Sequence, residues 1–315
     1  MLVKKIERRK IMTLKYQIGV DAGGTHTTAI AYDLNGEEIE RSQGGPGQVN
    51  TNYTRAISNI TEAINKLIDQ IDGDCQRILC GMAGLSVIGH APEVAAEISA
   101  KAENLPTRAI TDSLLALYNG LEGEDGGLVI AGTGSVFNGL QKGRIITTGG
   151  YGSILGDEGS GYAIALSALK SALLSWDKRE DNELISLFNQ LFKVENLTDA
   201  TAKFYKTNNA DFASMAVDVA KLADKGNNFA IAVIKEQAEL LARDIIIGMD
   251  RYDEPKPMKI ALTGSVLANN GMLRDFLENK VHEKYPQAQF SISNGENARG
   301  VVFDRSKDYR YFTSH

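Results

Sequence analysis

The sequence predicts an α/β protein made of two similar lobes, the second of which carries a helical insertion. Segments 20–25 and 129–134 each run from an apolar strand into a glycine turn. Each turn opens a set of three short strands, after which strands alternate with helices. Because the same order restarts in the second half, we expect a duplicated unit. Coincidence between two glycine turns is the alternative explanation.

The first lobe is expected to span residues 12–120. Apolar alternation indicates its strands, and Asn35-Gly36 is typical of a hairpin turn because both residues tolerate positive φ. Apolar residues at helical spacing indicate its long first helix. The expected order is three strands, a helix, a strand, a helix, a strand and a helix, over 15–21, 25–32, 37–42, 52–71, 77–82, 91–102, 108–111 and 113–121.

The second lobe is expected to span residues 121–315. Its first three strands should precede a helix that begins near Asp157, and a long helical insertion should fill 160–250. The alternation of strands and helices then returns. The expected strands are 127–131, 136–141, 144–148, 259–263 and 289–292, with a helix over 270–284.

Composition is that of an ordinary soluble globular protein. The chain has 315 residues, 43% of them hydrophobic, and a net charge of -6. Its basic residues cluster only near the N-terminus, which disfavours nucleic-acid binding, and it lacks a signal peptide or an apolar run of about 18 residues. Cys75 and Cys80 fit reduced, buried thiols of a cytoplasmic protein. Residues 1–11 are expected to be a disordered extension or an over-called start.

The first glycine turn, DAGGTHT at 21–27, is typical of phosphate binding. Gly23 and Gly24 let backbone N–H groups approach a phosphate closely, and Thr25 adds a hydroxyl donor. Asp21 could contact a phosphate favourably only through a cation, which indicates Mg2+. An ordinary hairpin turn could use the same residues.

Two further segments have the same chemistry. Thr133, Gly134 and Ser135 repeat the glycine turn in the second half, and Gly264-Ser265 follows a late strand where an adenosine or α-phosphate contact would fit. The chain has no GxxxxGK[ST] motif and no GxGxxG motif that opens a helix. P-loop and Rossmann nucleotide binding are therefore disfavoured.

Asp112 ends a strand and precedes a helix. Capping the helix would be its ordinary role. The alternative is a general base, because a sugar hydroxyl is a poor nucleophile until its proton is accepted and kinases place an aspartate there.

The segment 149–162, GGYGSILGDEGSGY, has six glycines in its first thirteen residues. Exposed backbone of this kind offers donors and acceptors to a polyhydroxylated ligand. Asp157 could bind two sugar hydroxyls and Tyr151 could stack on a sugar face. Asp157 and Glu158 could equally complement a helix dipole, and both roles can hold together.

DAGGTHT, TDS at 111–113, AGTGS at 131–135 and GGYGSILGDEGSGY together resemble the BadF/BadG/BcrA/BcrD ATPase family and its N-acetylglucosamine kinase branch. The resemblance covers nearly the whole chain. It implies an actin-like ATPase fold of two ribonuclease H-like lobes, an active site in the cleft, ATP as a substrate and a homodimer.

The resemblance also implies individual roles. Asp112 falls on the family's catalytic base, and Gln48 and Asn50 compete for one sugar contact. Val136 stands where eukaryotic kinases have a polar sugar contact, and 297–302 departs from a Pro-x-x-Gly-Ala segment. The remaining implied contacts are phosphate at Gly24, Thr25, Thr133 and Gly134, adenosine at Ala223, Gly264 and Ser265, and sugar at Gly150, Tyr151, Gly152 and Asp157.

We therefore expect an ATP- and Mg2+-dependent kinase acting on the 6-hydroxyl of an amino sugar. N-acetylglucosamine is the leading substrate, with glucosamine and N-acetylmuramic acid left open. One alternative is an activator ATPase of the 2-hydroxyacyl-CoA dehydratase activase type, for which only Cys75 and Cys80 could supply cluster ligands. A second is a nucleotide-dependent regulator without catalysis.

Overall fold

The computed structural model describes residues 13–293 and 295–305, so the expectation for residues 1–11 lies outside it. The chain divides into two units. The first unit consists of the described residues up to Gly123 together with those from Glu296 onward, and the second is Glu124–Gly295. Each unit is built on its own five-stranded sheet.

The first unit contains a mixed sheet in the order β3-β2-β1-β4-β5. The first three strands are antiparallel, and β1, β4 and β5 are parallel. Its elements are β1 (Leu14–Ala22), β2 (Thr27–Asp33), β3 (Glu38–Gly44), α1 (Tyr53–Gln70), β4 (Gly73–Met82), α2 (Leu85–Ile88), α3 (Ala91–Lys101), β5 (Thr107–Thr111) and α4 (Asp112–Gly120).

The central strand β1 is buried along most of its length because helices cover both faces of a sheet with parallel strands. On one face, α1 and α3 bury Ile57, Ile60 and Ile98 against the strands. Asn52 caps α1, its side chain accepting from the Arg55 N–H. The order of elements up to α4 matches the sequence prediction except for the short helix α2, which was not predicted.

The C-terminal segment belongs to the first unit. A 3₁₀ turn, Asn297–Arg299, and the short helix α13 (Gly300–Phe303) pack on the sheet face opposite α1. Ala298 and Val301 are fully buried there with Ile30, Leu79 and Leu115. The expected second lobe of 121–315 therefore extends too far, because these apolar side chains complete the core of the first unit.

The second unit repeats the sheet of the first. Its strand order is β10-β9-β6-β7-β8, with β6, β7 and β8 antiparallel and β6, β9 and β10 parallel. The strands are β6 (Gly126–Ala131), β7 (Ser135–Gln141), β8 (Arg144–Gly149), β9 (Lys259–Thr263) and β10 (Gln289–Ile292). The predicted duplication is thus present at the level of topology.

Helices inserted between β8 and β9 distinguish the second unit. They share one core with the sheet, centred on Phe137, Phe188 and Phe212. Among the described residues, no helix is long and apolar enough to cross a bilayer. The helices of this unit are α5 (Gly161–Lys178), α6 (Glu183–Phe192), α7 (Leu197–Phe204), α8 (Asn209–Ser214), α9 (Ala216–Asp224), α10 (Asn228–Asp250), α11 (Ser265–Asn269) and α12 (Gly271–His282).

Candidate active site

The first glycine turn joins β1 to β2. The Gly23 N–H donates to the His26 carbonyl over 3.0 Å, and the Gly23 carbonyl accepts from the Gly47 N–H over 2.9 Å. Gly24 and Thr25 are exposed at its tip, where the Thr25 hydroxyl lies 2.9 Å from His26 Nδ1. The turn is therefore held at its base and open at its tip.

Asp21 lies near the end of β1, half-buried, with its Oδ2 accepting from the Asn297 amide over 3.0 Å. Burial raises the pKa of the Asp21 carboxyl. The Asn297 hydrogen bond lowers this pKa, and the negative charge of Asp112 raises it. The two carboxylates are therefore close enough to interact. Asn297 was not singled out as a site residue from the sequence, because it is distant from Asp21 along the chain.

Asp112 is the first residue of α4, directly after β5. The N-cap of this helix is Thr111, whose hydroxyl accepts from the Leu114 N–H over 3.2 Å. One Asp112 oxygen accepts from the neighbouring Ser113 N–H over 2.8 Å. The capping role proposed for Asp112 is thus filled by Thr111. Because β1 and β5 run in the same direction, Asp21 and Asp112 lie at the same edge of the sheet, where α/β proteins bind ligands.

Gln48 and Asn50 follow β3 and contact each other, the Gln48 amide donating to Asn50 Oδ1 over 2.9 Å. A Cβ added to Gly24 would lie 3.0 Å from Gln48 Oε1, and one added to Gly84 would lie 2.1 Å from Asn50 Oδ1. Gln48 therefore lies beside the first glycine turn, and Asn50 lies beside Gly84, which precedes α2.

In the second unit, the matching turn joins β6 to β7. The Gly132 N–H donates to the Gly134 carbonyl over 2.9 Å, and the Gly132 carbonyl accepts from the Gly161 N–H over 2.8 Å. Thr133 is exposed at the tip. Ser135 is buried, and its hydroxyl donates to the Glu158 carbonyl over 2.7 Å. The Ser135 side chain thus holds the turn to the segment around Asp157.

Asp157 connects the second glycine turn to the segment 149–156. Its Oδ1 accepts from the Gly152 N–H over 3.1 Å, and a Cβ on Gly134 would lie 2.5 Å from its Oδ2. Its φ is 60°, a conformation that is strained for residues other than glycine and is concentrated at functional sites. Asp157 is also only 9% exposed.

The helix after Asp157 starts later than predicted. It begins at Gly161, Ser160 is its N-cap, and its first turn contains no acidic residue. The expected start near Asp157 is therefore wrong, and so is the helix-dipole role for Asp157 and Glu158. The physical reason is Gly159, whose φ of 73° interrupts the backbone before the helix can form.

The helix α10 supports this segment through polar contacts that the sequence did not reveal. Gln237, which is 5% exposed, accepts from the Gly159 N–H over 3.1 Å. Arg243 lies 3.8 Å from Glu158. By contrast, the Tyr151 ring is 72% exposed. Gly150 and Gly152 flank it with φ of 74° and 90°.

A cavity of about 450 Å³ opens beside the second glycine turn. Gly132, Thr133 and Ser265 line it, and Gly264 turns the chain into it with a φ of 95°. Ala223 does not line the cavity, and its side chain is buried in the core of the second unit. Residues of the helical insertion that the sequence did not single out line it instead: Ala210, Ala213, Ser214, Ala216, Val217, Ala220, Lys221 and Asp224. Small residues on neighbouring short helices are the signal that could have identified them.

Comparison with known sequences identifies relatives over nearly the whole chain. An N-acetylmuramic acid/N-acetylglucosamine kinase of Clostridium acetobutylicum is 28% identical over 92% of this chain and 97% of its own length. An N-acetyl-D-glucosamine kinase of Dictyostelium discoideum is 28% identical over 92% of this chain and 98% of its own length. A glucosamine kinase of Vibrio cholerae is 24% identical over 90% and 94%.

Solved structures establish the fold. A candidate N-acetylglucosamine kinase of Chromobacterium violaceum superposes with a TM-score of 0.67 at 23% identity, covering 92% of this chain and 98% of that one. A ROK family glucokinase of Streptomyces griseus superposes with a TM-score of 0.55 at 15% identity, covering 91% and 97%. The fold is thus the predicted actin-like ATPase fold. The model of one ATPase family matches residues 18–301. The chain belongs to the BadF/BadG/BcrA/BcrD ATPase family.

Proposed function

We propose that this protein is an ATP-dependent kinase that phosphorylates the 6-hydroxyl of an amino sugar. The observation that carries the proposal is the placement of Asp21 and Asp112 at one strand-end edge, with an open glycine turn beside them. Three relatives are named as kinases of N-acetylmuramic acid, N-acetylglucosamine or glucosamine. Both the chemistry and the relatives thus favour phosphoryl transfer to a sugar.

ATP fits the residues present. We assign phosphate contacts to the N–H groups of Gly23 and Gly24, to the hydroxyl of Thr25, and to Thr133 and Gly134. The cavity beside Gly264 and Ser265 is mostly apolar in its lining, as expected for a nucleoside pocket. We assign it to adenosine, with Ala220 rather than Ala223 at its wall.

Mg2+ fits Asp21. Its carboxylate is a hard oxygen donor, and half-burial beside Asp112 leaves negative charge that a cation would neutralise. When bound with nucleotide, the ion would supply charge neutralisation at the phosphates.

Asp112 would act as the general base. One of its oxygens is engaged by the Ser113 N–H, which orients the carboxylate. The other would accept the proton of the sugar 6-hydroxyl as that oxygen attacks the γ-phosphorus of ATP and the bond to the departing ADP breaks. Because Thr111 already caps the helix, Asp112 is not needed for that purpose.

The sugar would be bound by Asp157, by backbone at Gly150 and Gly152, and by the Tyr151 face. Asp157 is fixed by the Gly152 N–H, so its carboxylate is preorganised for hydroxyl groups. Gln48 or Asn50 would add an amide contact. N-acetylglucosamine is our first choice, ahead of glucosamine and N-acetylmuramic acid.

A coupled assay of ADP release tests this function. N-acetylglucosamine, glucosamine, N-acetylmuramic acid and glucose would be offered with ATP, with and without Mg2+. We expect release that depends on both Mg2+ and an amino sugar, and a product phosphorylated at the 6-position by NMR. ATP hydrolysis that no sugar stimulates would contradict the proposal.

The cysteines argue against the activase alternative. Cys75 and Cys80 are 8% and 0% exposed, and burial raises the pKa of both thiols to about 12. An iron–sulfur cluster shared between subunits needs thiolates at a surface. Buried neutral thiols do not meet that need.

We also propose, from the family resemblance, that the protein is a homodimer. Its use of ATP and its reduced thiols favour a cytoplasmic location. Light scattering coupled to size exclusion would measure the oligomeric state.

A further inference from the structure

The 3₁₀ turn Asn297–Arg299 lies directly on β1, the strand that carries Asp21. A Cβ added to Gly19 would lie 1.8 Å from the Ala298 carbonyl oxygen and 3.1 Å from Val301 Cγ1. Residues 19 and 21 of a strand point to the same face. The missing side chain at Gly19 therefore lets the turn approach the face from which Asp21 projects.

This approach brings the Asn297 side chain to Asp21. Its Nδ2 donates to Asp21 Oδ2 over 3.0 Å. Within the part of the chain that the structure describes, this is the one side-chain hydrogen bond that Asp21 accepts. The bond therefore fixes one carboxylate oxygen and leaves Oδ1 for another partner.

The carbonyl oxygen of the Asn297 side chain has no comparable contact. Its Oδ1 is buried and accepts no hydrogen bond from the described residues. A buried polar atom without a partner opposes folding, so an apolar side chain would be the better choice for stability alone. The hydrogen bond to Asp21 therefore explains why an amide side chain stands at position 297.

We propose that Asn297 is a positioning residue that holds the Asp21 carboxylate in place for the binding of the magnesium–nucleotide complex. The proposal rests on the proposed function, which makes Asp21 the carboxylate nearest the metal. Partners that orient a ligand carboxylate in this way commonly control metal affinity. The proline expected here from the family pattern has no side-chain donor, so such chains would have to hold this carboxylate differently.

The test compares Asn297→Ala and Asn297→Leu with the wild type. The matched control is Asn65→Ala, which removes a half-buried asparagine whose Nδ2 donates to the Lys101 carbonyl over 3.0 Å. ADP binding is measured by calorimetry with and without Mg2+, and kcat and KM are measured for the Mg–ATP complex. Thermal unfolding reports stability.

We expect both Asn297 variants to weaken ADP binding in Mg2+ by about 10–100-fold, the usual loss when an orienting partner is removed. ADP binding without Mg2+ should stay within about threefold of wild type, since the metal contact is absent there. Asn297→Leu should unfold at or above the wild-type temperature, because the unpartnered oxygen is gone. Asn65→Ala should match the wild type in each binding measurement.

Two results would overturn the proposal. One is Mg2+-dependent binding by both variants that equals that of the wild type. The other is an equal loss with and without Mg2+ accompanied by a lower unfolding temperature, which would mean that Asn297 only packs. Failure of the proposed function looks different: the wild type itself would show no sugar-dependent ADP release, while the calorimetry would still report on Asn297.

Discussion

At the scale of single residues, Asp112 carries the sharpest prediction. Asp112→Asn keeps the shape of the side chain but removes the proton acceptor, so kcat should fall by about 10²–10⁴-fold. Calorimetry should show ATP binding close to that of wild type. Asp199→Asn is the control, because Asp199 is an exposed acid in the first turn of α7. Turnover near the wild-type rate in the Asp112 variant would remove the base assignment.

Asp21 should reduce stability at neutral pH. Burial raises its pKa in the folded protein above the ordinary value of 3.8. The folded state therefore binds this proton more tightly than the unfolded state, and stability falls as pH rises from 3.8 through the folded pKa.

Asp21→Asn should accordingly be more stable than wild type at pH 7 while losing activity. Each kcal/mol gained in the free energy of unfolding corresponds to a rise of about 2–4 °C in Tm for a domain of this size. The advantage should shrink as pH falls toward 3.8. Calorimetric melting from acid to neutral pH would measure it, and a variant less stable than wild type at pH 7 would contradict it.

Cys75 and Cys80 should be unreactive in the folded protein. Their thiols are buried and remain protonated at pH 8, because burial raises the pKa of each to about 12. A thiol-disulfide exchange reagent should therefore label neither residue in native protein and both in denaturant. Rapid labelling of native protein would show that a thiol is accessible and would reopen the activase alternative.

At the scale of elements, the link from β9 to α11 depends on Gly264. Its φ is 95°, and a Cβ there would lie 2.3 Å from the Ala131 carbonyl oxygen. Gly226 is a natural control, because its φ is 89° but an added Cβ would meet nothing within 4 Å. The two glycines thus share a positive φ and differ in free space.

Gly264→Ala should therefore be much more disruptive than Gly226→Ala. The free energy of unfolding of the Gly226→Ala control should fall by about 1–3 kcal/mol, because its positive φ is strained for alanine. Gly264→Ala should lose more and should also weaken ATP binding, because the strand β6 and the cavity wall must move apart. Denaturant titrations and nucleotide calorimetry measure both effects, and equal losses in the two variants would contradict the steric argument.

At the scale of the whole molecule, the C-terminal segment completes the first unit. Arg108 pairs with Asp304 over 2.8 Å, and the Asp304 side chain is only 1% exposed. Arg77 donates to the Val301 carbonyl over 2.7 Å and to the Asp304 carbonyl over 2.9 Å. The end of the described chain is thus anchored to strands formed by its beginning.

Asp304→Ala should destabilise the protein by about 3–5 kcal/mol, because it leaves a largely buried guanidinium without its carboxylate. Glu62→Ala is the control, because it breaks an exposed pair with Lys66 and should cost at most about 1 kcal/mol. Denaturant unfolding followed by circular dichroism would compare them. Equal small losses would mean that the segment adds little stability.

The sequence by itself determined the two-lobed α/β plan and the two glycine turns at 23–25 and 133–134, and it singled out these turns, Asp112 and Asp157 as candidate site residues. These features are local, since glycine turns, apolar periodicity and strand ends are written in neighbouring residues. The site role of Asp157 stays a prediction, whereas the helix start expected near it is wrong, because that start depends on the backbone at Gly159.

Only the tertiary structure decided which residues, distant along the chain, contact these candidate site residues. It joined Asn297 to Asp21, Gln237 to Gly159 and the last described helix to the first unit. It also showed that Ala220 and Ser214, and not Ala223, line the cavity beside Ser265. Such contacts depend on side-chain packing between segments far apart in the chain. No local pattern encodes them, and they surround the residues to which we assign the chemistry.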